Sequence, residues 1–173
     1  MSKIAVIYKS KYGATKRYAK WIAEALDASL FEHSEIKPQQ LSNYDVVIYG
    51  GGLYAGGING VKLVTKNPCK SLVLFTVGVA DPQNTDYSPI LNKTLSSEQL
   101  SKVTVFHLRG GINYEKLNLA HKGIMAVVKK LIEKKPVNKR ESDDIGILET
   151  YGKNVDFTDK KMIEPLVEHV KSL

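Results

Sequence analysis

The sequence predicts an α/β fold, a doubly wound parallel sheet with helices on both faces. Apolar runs alternate with amphipathic or polar stretches along most of the chain, the order that builds βαβ units. The runs at 4–8, 45–49 and 71–77 are nearly continuous in apolar residues, as strands buried on both faces are. Each is followed by a glycine-rich or polar loop, at 9–16, 50–59 and 78–87. In such sheets ligands sit at the carboxyl ends of the strands.

The elements follow in order. Ile4-Ala-Val-Ile-Tyr8 reads as a buried strand, and 14–28 as a helix with Tyr18, Ile22, Ala25 and Leu26 on one face. Residues 29–33 suit a short strand, and 38–44 has room for a helical turn. Asp45-Val-Val-Ile-Tyr49 is a strong strand that runs into Gly50-Gly-Gly-Leu-Tyr-Ala-Gly-Gly57. A short helix at 61–66 ends at Asn67-Pro68. Residues 71–77 form the next strand, 78–87 a polar loop, 89–100 a weak helix and 103–108 the last core strand. A helix is expected over 117–135. The C-terminal helix from Thr158 carries Met162, Ile163, Leu166, Val167, Val170 and Leu173 on one side, with a kink at Pro165.

A length of 173 residues suits one domain, 1–173. Cys69 is the only cysteine, so no internal disulfide or cysteine-built metal site forms, and a reducing compartment is the natural reading. Lys3 precedes only five apolar residues, too few for a signal peptide. No apolar run approaches the ~18 residues of a membrane span, and the expected location is cytoplasmic. The net charge of +7 is concentrated. Lys116, Lys122, Lys129, Lys130, Lys134, Lys135, Lys139 and Arg140 face a single acid, Glu133, so 116–140 carries the whole excess.

The first loop carries chemistry. Ser10-x-x-Gly13-x-Thr15 between a strand and a helix brings backbone N–H groups and hydroxyls to a positive helix end, a fit for phosphate. It is neither a P-loop nor Gly-x-Gly-x-x-Gly. Gly50-Gly-Gly-Leu-Tyr-Ala55 does match a dinucleotide fingerprint after a strand. The acid expected about 20 residues on is missing, since Lys70 and Ser71 stand there. The bland reading of these segments is ordinary βα loops and glycine turns. His33, His107, His121 and His169 lack metal-ligand spacing, so no metal site is expected. Neither a catalytic acid nor a base is assigned. Leu117, Ala120, Ile124, Val127, Val128 and Leu131 form one stripe of the 117–135 helix, with Lys122, Lys129, Lys130 and Glu133 opposite. Such a helix either packs on the domain edge with a solvated basic face or touches anionic lipid. No nucleic-acid-binding motif is present.

With these loops in place, residues 1–113 and 158–173 resemble the flavodoxin family. The resemblance implies a five-stranded sheet in the order 2-1-3-4-5, with a helical insertion, 114–157, before the last helix. It implies FMN as cofactor. Ser10, Lys11, Tyr12, Gly13, Ala14 and Thr15 would hold its phosphate. Gly51, Gly52, Leu53, Tyr54, Ala55 and Gly56, with Val77, Gly78, Val79, Asp81 and Tyr87, would hold the flavin ring. A peptide near Gly56 or Gly57 would turn toward the reduced flavin, and Tyr54 and Tyr87 would stack on it. Arg109-Gly-Gly-Ile-Asn-Tyr114, the basic helix, and Val155-Asp-Phe-Thr-Asp159 are similar to the menaquinone-dependent protoporphyrinogen oxidases and their flavodoxin-domain relatives. That implies an oxidoreductase whose partner is a quinone or a redox protein, peripheral to the membrane through helix 117–135. The alternative is a non-enzymatic electron carrier between proteins. A phosphoacceptor domain of the same topology is excluded, since Tyr8-Lys9-Ser10 and Tyr49-Gly50 lack the acidic residues it needs.

Overall fold

A computed structural model of the chain describes residues 2–54 and 56–173. Strands β1 (Ile4–Lys9), β2 (Ser29–Glu32), β3 (Val46–Tyr54), β5 (Leu72–Gly78) and β6 (Thr104–Arg109) form a parallel sheet in the order β2-β1-β3-β5-β6. Taken as five parallel strands, this is the predicted order 2-1-3-4-5. A short strand, β4 (Gly57–Ile58), pairs antiparallel with the end of β3.

Both faces of the sheet are covered. Val6, Tyr8, Ile48 and Phe75 pack under α1 (Ala14–Leu26) and α7 (Glu164–Lys171), through Tyr18, Ile22 and Leu166. Ala5, Ile7, Val47, Tyr49 and Leu74 pack on the other side against Leu41, Val61, Val64 and Leu95. These come from the turn at Pro38–Asn43, from α2 (Lys62–Thr65) with its preceding Val61, and from the break between α3 (Ser88–Thr94) and α4 (Ser97–Lys102).

Several local expectations change. The weak helix of 89–100 is two helices, because Ser96 caps the second in a box with Gln99. On α1 the buried face uses Ala23, whereas Ala25 is exposed. Pro165 does not kink a helix begun at Thr158. A 3-10 turn at Lys160–Ile163 precedes α7, and Pro165 stands in its first turn, where the missing N–H costs nothing. Leu173 is exposed rather than part of the apolar side.

The glycine cluster is the largest change. Gly50–Tyr54 continues strand β3 instead of forming a loop. The Phe75 ring lies directly on Gly50, so any side chain there would collide with it. A Cβ on Gly51 would come 2.6 Å from Ile58 Cγ2. Close packing of neighbouring strands therefore accounts for these two glycines. Gly56, just ahead of β4, is a turn residue with φ +72°.

The insertion is a hairpin carrying two helices. β7 (Gly111–Asn113) and β8 (Asn154–Asp156) pair antiparallel at its base. Between them lie α5 (Leu119–Lys134) and α6 (Ser142–Thr150), which pack together. The hydrophobic face of α5 is not where the stripe predicted. Ile132 is buried and His121, Met125 and Val128 are half-buried, whereas Ile124, Val127 and Leu131 are 44%, 58% and 58% exposed.

Candidate functional site

β1, β3 and β5 are neighbours, so their carboxyl ends bring the three predicted loops together. In the first loop Gly13 has φ +95°, a conformation that glycine adopts without strain. Its N–H donates to Ser10 Oγ at 3.0 Å. Ser10 is thus an acceptor within the loop, and its own O–H remains able to donate outward. The first helical bond runs from Arg17 N–H to the Gly13 carbonyl at 3.0 Å. The amides of Ala14, Thr15 and Lys16 stand ahead of it and have no acceptor inside the helix. Thr15 is 4% exposed. A Cβ on Gly52 would lie 3.5 Å from Thr15 Oγ1 and 3.9 Å from the Val77 carbonyl oxygen. Thr15, Gly52 and Val77 therefore meet, one from each strand end.

The four cations near this loop divide. Lys11 Nζ sits 3.4 Å from the Tyr54 ring centroid, a cation–π contact that ties the first loop to the second. Arg17 turns away to Asp156 Oδ2 at 2.6 Å and Thr158 Oγ1 at 2.7 Å. Those contacts hold the Asp156 carboxyl down at about 2, the Thr158 hydroxyl more than the guanidinium. Lys9 approaches Gly60 and His33 on the opposite side. Lys16 is exposed. Tyr12 is exposed and meets His121 of α5 edge-on, with ring centroids 6.3 Å apart.

In the second segment Leu53 lies beside Gly78, where a Cβ would be 3.1 Å from Leu53 Cδ1. Tyr54 is half-buried under Lys11. Gly56 is exposed at the turn. Ala55 lies outside the described residues. In the third segment Asp81 caps its own turn, accepting from Gln83 N–H at 3.1 Å and from Asn84 Nδ2 at 2.9 Å. Tyr87 is only 9% exposed, and one ring face is stacked on His107 at 3.6 Å and 6°. That face is closed to a ligand, which narrows the stacking expected of Tyr87.

Two residues that the sequence reading left unassigned hold this third loop. His107 shares a 2.6 Å hydrogen bond between its Nδ1 and Thr76 Oγ1 while it supports Tyr87, and burial pushes its pKa down to about 4. Arg109 Nε donates to the Val79 carbonyl at 3.1 Å, and its guanidinium lies 3.8 Å over the Phe157 ring. Their parallel register, Thr76 with His107 and Gly78 with Arg109, is the signal that placed them opposite the loop. It becomes readable once the strand order is known.

Comparisons with known proteins add the lineage. A 55-residue stretch is 34% identical to an uncharacterized protein of Methanocaldococcus jannaschii, covering 31% of this chain and 37% of that protein. The chain therefore spans well under half of that relative. Similar solved structures include a flavodoxin from the domain Archaea, 16% identical at TM-score 0.48, with 98% of this chain and 99% of that one covered. Oxidised flavodoxin 1 from Bacillus cereus is 16% identical at TM-score 0.45, covering 62% and 84%. A flavoprotein from Lactobacillus acidophilus, solved in complex with FMN, is 16% identical at TM-score 0.43, covering 63% and 93%. The family model of the flavodoxin domain matches residues 5–139, from the first strand through the insertion's long helix. The chain belongs to the flavodoxin-domain family.

Proposed function

We propose that this chain binds FMN and transfers electrons through it, as an oxidoreductase of the quinone-dependent protoporphyrinogen oxidase type that meets a membrane through α5. One observation carries the cofactor reading: the meeting of Thr15, Gly52 and Val77 beside three helix-start amides that have no acceptor inside the helix. That donor set suits a terminal phosphate monoester. The amides of Ala14, Thr15 and Lys16 and the hydroxyls of Ser10 and Thr15 donate, and the helix dipole favours the negative charge. Gly52 has no side chain to stand against the Thr15 hydroxyl. Gly51, Leu53, Tyr54 and Gly56 from the second segment, and Gly78, Val79, Asp81 and Tyr87 from the third, would flank the ring. Lys11 and Tyr12 would border the phosphate. Bound FMN would supply one- and two-electron transfer. The protein's part is to hold the phosphate, order the third loop through His107 and Arg109, and exclude water with the β3–β4 turn.

The finer reading rests on the insertion. Ile124, Val127 and Leu131 form an exposed apolar row, and Lys130 and Lys134 stand beside it, three residues on from Val127 and from Leu131. An apolar row edged by cations suits the interface of an anionic bilayer. Among the described residues no helix is long and apolar enough to cross a membrane.

The test begins with the visible spectrum of the purified protein, followed by release of the chromophore and chromatography. FMN is expected. Recovery of FAD alone, or an apoprotein that ignores added FMN, would refute the cofactor reading. Reoxidation of the reduced protein by a quinone in vesicles then separates the two roles. Electron transfer to protein partners without transfer to quinone would make the chain a carrier.

A further inference from the structure

A cavity lies beside β4 and α2, with Thr15 not among its lining residues. It holds about 590 Å³ and is lined by Gly56, Gly57, Ile58, Leu63, His33 and three lysines, Lys62, Lys66 and Lys93, among others. That volume is in the range of sites for small organic ligands, roughly 300–1,000 Å³. Lys62 and Lys66 are four residues apart, so one side of α2 presents both. Lys93 reaches in from α3, with Nζ 3.7 Å from the Cβ position of Gly56. No carboxylate is among the lining residues. Among the described residues none of the three lysines is in an ion pair.

The wall around Gly60 is close-packed and carries little negative charge. Gly60 lies where a Cβ would crowd Lys9 and His33, at 2.7 Å and 2.9 Å. Tyr49 donates its hydroxyl to the Asn59 carbonyl at 2.8 Å, which fixes that turn. His33 is held below its usual value, first by burial and then by Lys9. It is therefore a neutral hydrogen-bonding group at pH 7, and the lysines supply the charge.

We infer that this cavity is a binding site for a small organic anion, an apolar ring system bearing a carboxylate, sulfonate or phosphate that lies on Ile58 and Leu63 and is held by Lys62, Lys66 and Lys93. Three cations around an apolar floor reward a molecule that is both hydrophobic and negatively charged. They give little to one that is only one of these. None of the three lysines belongs to the phosphate or ring segments, and the cavity shares only Gly56 with the proposed ring site.

The test uses 8-anilinonaphthalene-1-sulfonate as probe, on the protein as purified. Affinity is read by isothermal titration calorimetry and location by amide chemical shifts. The sulfonate is expected to shift the amides of Gly57, Gly60 and Thr94, and to bind more weakly as salt rises. The Lys62→Gln/Lys66→Gln/Lys93→Gln variant should lose at least about tenfold in affinity, less than the sum of three charge-assisted contacts. Its affinity for the uncharged N-phenyl-1-naphthylamine should stay within about twofold, since that molecule has no charge for the lysines to hold. Three results would each overturn the inference: no binding of the sulfonate, equal affinity in the variant, or shifts confined to the exposed row of α5.

Discussion

Thr15 has a buried side chain at the start of α1 and a hydroxyl facing Gly52. Removing that hydroxyl should cost more in ligand binding than in folding. A hydrogen bond to a charged phosphate is worth ~1.5–3 kcal/mol, so Thr15→Ala should weaken FMN binding roughly 10- to 100-fold. Fluorescence titration of the apoprotein measures this, and an unchanged dissociation constant would remove Thr15 from the site. His107 makes a different prediction. Its imidazole titrates at about 4 in the fold, against 6.5 in an open chain, because it is buried between Thr76 and Tyr87. Between those pH values the unfolded chain takes up a proton that the folded chain refuses. The contribution is therefore full above pH 6.5 and is lost as pH falls toward 4. Urea midpoints should decline across that window, and His107→Gln should flatten the decline. An identical slope in the variant would assign it to other groups.

At the scale of elements, α5 is decisive. Periodicity placed Leu117, Ala120, Ile124, Val127, Val128 and Leu131 in one stripe, yet Leu117 is buried and Val128 half-buried while Ile124, Val127 and Leu131 face outward. A neighbouring face, with Ile132 buried and His121, Met125 and Val128 half-buried, packs inward, and His121 meets Tyr12 of the first loop. Lys129, taken from sequence as part of a free basic face, is half-tethered. It pairs with Glu133 at 3.2 Å and lies 4.9 Å over the Tyr151 ring. Among the described residues, Lys130 and Lys134 are the exposed cations beside the apolar row. Replacing both with Gln should remove ~2 kcal/mol of attraction to an anionic bilayer, at ~1 kcal/mol each. Ile124→Ser/Val127→Ser/Leu131→Ser should abolish the remaining binding with little loss of stability, since those side chains are already exposed. Co-sedimentation with phosphatidylglycerol vesicles at low salt reads both effects. An unmutated protein that stays in the supernatant ends the membrane reading.

At the scale of the whole molecule, Tyr18 joins three parts of the chain. It is fully buried on α1, and its hydroxyl donates to the Arg109 carbonyl at 2.6 Å while accepting from Asp159 N–H at 3.1 Å. The Phe157 amide also donates to the Gly110 carbonyl at 3.0 Å. Both ends of the insertion are thereby fastened beside the helix that starts at the first loop. The Arg17–Asp156 pair adds to this, but its side chains are 48% and 56% exposed, and exposed pairs contribute at most ~1 kcal/mol. The buried Tyr18 hydroxyl matters more. Tyr18→Phe should destabilise the fold by ~0.5–1.5 kcal/mol for each bond lost, since the Asp159 amide and the Arg109 carbonyl are only part-buried. It should also raise amide hydrogen exchange in β7 and β8 before the main sheet. Uniform exchange across the sheet and insertion would mean that the two open together.

The parallel sheet and the glycine- and hydroxyl-bearing first loop were legible in the residues themselves, whereas the strand order was implied only by the resemblance to a family. Buried strands must be apolar along their whole length, and a phosphate-binding turn needs glycine and hydroxyls at short range. These are local requirements, written in consecutive residues. The glycines at 50 and 51 were legible as a cluster but not as strand, because their cause is the Phe75 ring and Ile58, which reach them from neighbouring strands. Tyr87 was legible as an aromatic in a loop but not as a ring already stacked, because His107 arrives from β6. Periodicity states which residues share a face. Only the tertiary structure decided which faces were covered, because burial depends on what another part of the chain brings to the contact.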